Sequence, residues 1–159
     1  MTLHQHSSTL NSPHSQTLGL IIRRSKVRIY YHFVWATQNR EWFLSGERER
    51  AAYRLIESLA RAKKCVVLAL NGMPDHVHLL VSAPATISAS LLMHHIKGVS
   101  SASLRENQFA GEAFGWQDNY GVFSLSKRDL EEVIAYVENQ KSHHEAGKLK
   151  ASLEDTDED

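Results

Sequence analysis

Cys65 is the only cysteine in 159 residues, so no internal disulfide can form and the chain suits a reducing compartment. No apolar run reaches the roughly 20 residues that a membrane span needs, so no membrane partner is expected. The first residues, Met1 to Ser15, are rich in His, Ser and Thr and lack the apolar stretch of a signal peptide. Charge of one sign is not in excess either: 18 Lys and Arg balance 18 Asp and Glu. Overall charge therefore gives no argument for nucleic acid. No glycine-rich loop of the phosphate-cradling kind is present, and no internal repeat.

The distribution of charge says more than its sum. Residues 1–26 hold Arg23, Arg24 and Lys26 and no acid, whereas the tail from Glu145 holds six acids against Lys148 and Lys150. The body between them is nearly balanced, and its basic residues cluster locally as Arg48, Arg50, Arg54, Arg61, Lys63 and Lys64 along one predicted helix. The length fits one domain with a sizeable core. The expected organisation is a disordered extension over 1–24, with a short ordered piece at Leu18–Ile22. A domain over 25–146 and an acidic flexible tail over 147–159 follow.

Val27 to Ala36 is β-branched and aromatic, a strand signal. Thr37–Arg40 breaks it as a turn. Ala52, Leu55, Ile56 and Leu59 recur at helical spacing, predicting a helix over about 47–63. Cys65–Leu70 reads as a second strand, Asn71-Gly72 as a tight turn, and 75–82 as a third strand. A helix is expected from about Ile87, in which Gly98 and Ser100-Ser101 either make a break or let a partner approach. Phe114–Ser124 predicts one or two short strands around a bend at Asp118-Asn119. Ser126 reads as the N-cap of a last helix over 127–144, with Asp129 as its capping-box partner. This order predicts an α+β domain, an antiparallel sheet with helices packed on it.

The third strand carries His76 and His78. Side chains two apart on a strand leave the same face, about 6.6 Å apart along it. Two imidazoles side by side on a sheet form a metal-ligand pair that needs completing. The last helix offers Tyr136 and Gln140, four apart on one face. Gln140 brings a neutral carbonyl oxygen suited to a hard cation, and Tyr136 a phenol able to act as a nucleophile. Tyr30, Tyr31, Tyr53 and Tyr120 compete with it, and Tyr120 reads as a packing or base-contacting residue. His32 is a candidate to face the site. His143 and His144 read as a polar helix end suited to the dipole. Asp75 reads as a turn residue with a supporting role open. Lys97, Ser100, Ser101 and Arg105 are the candidate phosphate contacts, on backbone exposed by the expected break at Gly98.

Five segments in order carry a family resemblance. They are Tyr31–Arg40, Met73–Leu80, Ile96–Ser101, Phe114–Gly121 and Tyr136–Gln140. Together they resemble the single-tyrosine HUH transposases of insertion sequences that move as single-stranded DNA (the IS200-like family) and the related repeat-associated tyrosine transposases, over roughly residues 28–144. The resemblance implies a ferredoxin-like (RNA-recognition-motif-like) sheet with the HUH motif on a central strand. It implies His76, His78 and Gln140 as ligands of Mg2+ or Mn2+ and Tyr136 as nucleophile. It also implies cleavage and rejoining of single-stranded DNA beside hairpins at element ends, through a 5′-phosphotyrosine intermediate. Family members are homodimers, in many of which the tyrosine helix of one subunit serves the histidine face of the other. A bacterial cytoplasmic or nucleoid location follows. Two other readings stand beside this one: a catalytically silent or domesticated hairpin-binding copy on the same scaffold, and an unrelated metal hydrolase that prefers zinc.

Overall fold

The structure is a computed structural model that describes residues 26–147 and 150–154. The extension expected over 1–24, with its Leu18–Ile22 piece, lies outside the described residues, as does the end of the tail from residue 155. The elements run β1 (Ile29–Ala36), α1 (Gly46–Ala62), β2 (Val66–Met73), β3 (His76–Ala83), α2 (Ala89–Asn107) and β4 (Gly121–Leu125). Then come α3 (Leu130–Glu138), α4 (Gln140–Glu145) and α5 (Ala151–Glu154). The strands stand in the order β2-β3-β1-β4, every neighbouring pair antiparallel. This is the expected ferredoxin-like topology, with β3 an inner strand. No helix among the described residues is long and apolar enough to cross a membrane.

Alternation along the strands divides the sheet into two different faces. Phe33 and Trp35 of β1 and Val77, Leu79 and Val81 of β3 point to one side. There they meet Ala52, Ile56 and Ala60 of α1 and Leu92, Met93 and Ile96 of α2 in the main core. Each such fully buried large apolar side chain contributes about 1.5–3 kcal/mol. His32, His76, His78 and Leu80 point to the other side, where Leu80 and Ala69 pack against Val133 and Val137 of α3. That second cluster is small, so α3 is held on the sheet by less apolar burial than α1 and α2.

Four local expectations need correction. The hairpin between β2 and β3 turns at Pro74-Asp75, because Met73 pairs with His76 and Asn71-Gly72 continues the strand. Gly72 is needed for close approach: a Cβ there would lie 2.2 Å from the His76 carbonyl oxygen. Helix α2 runs unbroken through Gly98 and Ser100-Ser101; the Ser100 hydroxyl donates to the Lys97 carbonyl at 3.4 Å. The last helix starts three residues late, because Ser126–Asp129 closes a turn in which the Ser126 hydroxyl donates to the Asp129 carboxylate at 2.7 Å. It then breaks at Asn139, where the Asn71 side-chain amide donates to the Glu138 carbonyl at 2.9 Å and the Asn139 amide to the Ala135 carbonyl at 2.8 Å. The Asn71 side chain takes a carbonyl that a continuous helix would use for itself, while the Ala135 carbonyl still accepts from the Asn139 backbone amide at 3.1 Å. The expectation of one or two short strands around a bend over Phe114–Ser124 is met by a bridge between Trp116 and Thr37, a bend at Asp118 and then β4.

The two glycines should respond in opposite directions to alanine. Gly72→Ala should lower stability by about 2 kcal/mol, a fall in Tm of roughly 5–10 °C. Gly98, with nothing within 4 Å of a built Cβ, should gain about 0.5–1 kcal/mol from the same change. Thermal melts followed by circular dichroism distinguish these outcomes.

Candidate active site

His76 and His78 are buried on the α3 side of the sheet. Each has its Nδ1 occupied. His76 Nδ1 lies 2.7 Å from Asp75 Oδ1, and His78 Nδ1 lies 3.0 Å from Nε2 of buried His32. Ionised Asp75 is acceptor-only, so the His76 Nδ1 proton faces it. Where His78 takes the same tautomer and donates to His32, the Nε2 lone pairs of both imidazoles are aimed into one space, and a bound cation would select that tautomer. Fixing a tautomer through the far nitrogen is how proteins prepare histidine to bind a metal.

Three helices close that space. Tyr136 of α3 is 3% exposed, and its ring lies 6.3 Å from that of His78. Gln140, the first residue of α4, is fully buried. Tyr136 and Gln140 meet although the chain breaks between them, and both donate to Glu154 Oε1, Gln140 Nε2 at 2.7 Å. The other oxygen, Glu154 Oε2, is 3.4 Å from His78 Nε2, 3.6 Å from His76 Nε2 and 3.9 Å from His144 Nε2. His76, His78 and Glu154 form a cluster whose ligand atoms lie within 4.8 Å of one another.

The donor set fits a divalent cation on one direct observation. Nε2 of His76, His78 and His144 and Oε1 of Gln140 are all buried without a hydrogen-bond partner. Unpartnered buried polar atoms are rare and costly, and here three such nitrogens face Glu154 Oε2. His76, His78 and Gln140, the expected ligands, each carry an unpartnered atom.

Burial, with His78 beside it and Glu154 partly opposing, depresses the His32 pKa to about 3, and burial also lowers that of His78. Burial, together with the hydrogen bond to Glu154, raises the Tyr136 pKa to about 12. Burial pushes the Glu154 carboxyl up, but His78, Tyr136 and Gln140 outweigh it and hold its pKa at about 2. Tyr136 is thus a protonated phenol in a neutral-to-negative setting, and needs added positive charge to become a nucleophile.

The expected phosphate contacts do not join this site. Lys97, Ser101, Arg105 and Tyr120 line a cleft beside α2, with Tyr120 against Phe33 on the main-core side of the sheet. The Lys97 ammonium donates to the Asp118 and Asn119 carbonyls at 2.6 and 3.2 Å, and Arg105 to the Phe114 carbonyl at 3.3 Å. Ser100 is fully buried and accepts from the Trp116 indole at 2.9 Å, so the expectation of a phosphate contact there is corrected. These side chains hold residues 114–119 against α2.

The largest surprise is Glu154. Its segment was expected to be a loose acidic tail, yet α5 docks through Leu153 on the second apolar cluster. Lys150 ties it further: the backbone amide donates to the Tyr136 hydroxyl at 3.2 Å and the ammonium pairs with Glu132. The available signal was Leu153, an apolar residue next to the acids. His144 also belongs to the site, its ring 5.0 Å from that of His76.

With this geometry in place, the comparisons with known proteins decide the family. A family model described as "Transposase IS200 like" matches residues 25–140. This chain belongs to the IS200-like transposase family. The transposase is 26% identical over 133 residues to the ISDra2 transposase TnpA of Deinococcus radiodurans, covering 77% of this chain and 94% of that one. It is 29% identical over 123 residues to the transposase for insertion sequence element IS200 of Salmonella typhimurium, covering 74% and 80%. Its fold matches a candidate transposase from Deinococcus radiodurans with a TM-score of 0.59 at 26% identity, over 74% of this chain and 95% of that one. It also matches a REP-associated tyrosine transposase bound to a REP hairpin, with a TM-score of 0.59 at 17% identity, over 80% and 74%. This last likeness is one of fold. Membership of the family implies cleavage and strand transfer of DNA.

The buried imidazoles make the metal-free transposase sensitive to acid. Unfolded, a histidine titrates near 6.5, while folded His32 resists protonation down to about 3. Between those values the unfolded chain binds protons that the folded chain refuses, so stability falls as pH falls from about 6.5. Glu154 adds a loss below its ordinary value of 4.5. In EDTA, the urea midpoint should drop steadily from pH 7 to pH 4, with a shallower slope in His32→Gln.

Proposed function

We propose that the protein cuts and rejoins single-stranded DNA through a covalent bond to Tyr136. The observation that carries this is the packing of the Tyr136 phenol against His78, beside buried imidazole nitrogens that have no hydrogen-bond partner. His76, His78 and Gln140 would hold Mg2+ or Mn2+. Bound there, the cation supplies Lewis-acid polarisation of a phosphate oxygen and positive charge beside the phenol. Tyr136 Oη attacks phosphorus, the bond from phosphorus to the 3′ oxygen breaks, and that oxygen takes a proton from water and leaves as a 3′-hydroxyl. The phenol proton is lost toward Glu154 Oε1, which already accepts its hydrogen bond. The phosphotyrosine ester keeps the energy of the broken bond, so a 3′-hydroxyl can attack it and restore Tyr136 without a nucleotide cofactor. Asp75 and His32 hold the ligating imidazoles in place.

The substrate is a hairpin-bearing element end, in keeping with the REP hairpin held by the fold relative. The partner is a second copy of this chain in the bacterial cytoplasm. Tyr136 lies against His78 of its own chain, which supports an arrangement in which each chain's tyrosine serves its own histidines. The test is a labelled single-stranded element end with Mn2+. Wild-type protein should give a covalent adduct that Tyr136→Phe does not form. His76→Ala should lose cleavage by at least a hundredfold and keep hairpin binding. An adduct formed equally well by Tyr136→Phe rules the reading out.

The silent-copy reading has one observation in its favour: the Glu154 carboxylate stands directly before the two histidine Nε2 atoms, at 3.4 and 3.6 Å. Hairpin binding that survives EDTA, with no cleavage under any metal, would select it.

Trp42 supplies the stacking contact expected of a strand with unpaired bases. It is 79% exposed, while its flanks are pinned. The Glu41 carbonyl accepts from the Thr37 hydroxyl at 2.6 Å, and the Leu44 amide donates to the Pro74 carbonyl at 2.9 Å. Asn39 and Arg40 on the same loop adopt positive φ of 54° and 57°, uncommon for non-glycine residues, and Arg40 pairs with Asp75 at 3.5 Å. This fixed loop presents an indole beside the turn that leads into His76. The other tryptophans, Trp35 and Trp116, are 0% and 8% exposed. Iodide should therefore quench Trp42 emission selectively, and a single-stranded element end should protect it. Trp42→Ala should weaken strand binding about 10-fold, within the 1–3 kcal/mol range of one base stack.

A further inference from the structure

The geometry points to Glu154 as a fourth protein ligand of the cation, delivered to His76, His78 and Gln140 by the C-terminal helix α5. This rests on the metal site argued above and adds to it a residue from outside the span matched by the family model, which ends at 140.

The spacing is the first argument. Glu154 Oε2 stands 3.4 and 3.6 Å from the two Nε2 atoms, longer than ordinary hydrogen bonds. Two ligands of one small cation, each about 2.1 Å from it, stand about 3.0–3.4 Å apart. The carboxylate thus keeps close to the separation that a shared ion sets.

Charge is the second. The Glu154 side chain is 17% exposed. Its ion-pair contacts among the described residues are imidazoles alone, from His76, His78 and His144. No lysine or arginine compensates it there. Tyr136 and Gln140 stabilise the ionised carboxylate through Oε1, and a divalent cation before Oε2 would meet it with full positive charge. With Oε1 already satisfied, Oε2 is the atom left for the ion.

The third is that the carboxylate is positioned by contacts other than the site itself. Leu153 packs with the cluster of Leu80, Val133 and Val137, and Lys150 pairs with Glu132. Glu154 is brought to the histidines by a docked segment and does not depend on its own charge to arrive there.

The test is isothermal titration of the full chain with MnCl2, without DNA. Wild type should bind one Mn2+. Glu154→Gln, which retains an acceptor for Tyr136, should weaken binding at least about tenfold, as loss of even an indirect metal partner does. Glu145→Gln, an exposed acid before the tail, should bind as wild type does. Circular dichroism should show the same helix content in all three. If Glu154→Gln binds as tightly as wild type while His76→Ala loses binding, the fourth ligand is overturned and the metal site stands. If His76→Ala also binds as wild type, the metal site itself is overturned, and this inference with it.

Discussion

The antiparallel pairing of β3 with β1 is the constraint on which everything else in this molecule depends. It sets Ala36 opposite His76, Val34 opposite His78 and His32 opposite Leu80. Opposed residues share a face, so one ladder assembles the histidines on one side while Phe33, Trp35, Val77 and Leu79 build the core on the other. The stability of the domain and the chemistry of its site are separated by one strand thickness. The large aromatic and aliphatic side chains lie with α1 and α2, and their burial holds the sheet. The opposite side is then free to bury polar groups that contribute little to stability or reduce it.

That polar side is maintained by partners one contact further out. Asp75 and His32 orient the two imidazoles, and Asn71 ties the sheet to the end of α3. The orphaned nitrogens at the centre are a cost the fold carries in return for a prepared site. The depressed imidazoles and the raised phenol have the same origin. Taken out of water without a compensating charge, each group prefers its neutral form.

Much of this was legible in the sequence. Alternation through Met73–Val81 placed His76 and His78 on one face, and the order of apolar patterns gave the topology. Tyr136 and Gln140 were chosen by four-residue spacing on a continuous helix. They do meet, but across a break that local pattern cannot show, since it is made by Asn71 from another strand. Asn71-Gly72 looked like a turn because that dipeptide usually is one. Here the glycine answers to a close carbonyl and the asparagine to a distant helix end. Ser100 looked exposed because a break was expected at Gly98, and tertiary packing against Trp116 kept the helix whole. Glu154 was hidden for a different reason. Acid-rich tails are mostly solvated, and nothing in local composition distinguishes the one carboxylate that an adjacent leucine carries inward. Which of two faces a strand histidine uses is periodic information; where a tail docks is not.

The Asn71 side chain has a consequence for accuracy. Asn71 stands opposite His78 in the β2–β3 ladder, and its amide grips the carbonyl of Glu138, two residues past Tyr136. The phenol and the imidazoles are therefore both located from the same pair of rungs. Displacements that enter through the connection from β4 to α3 are referred back to that common datum instead of accumulating along the chain. A site that must hold a phenol against two imidazoles gains most from a short path of measurement, and here that path is one amide hydrogen bond long.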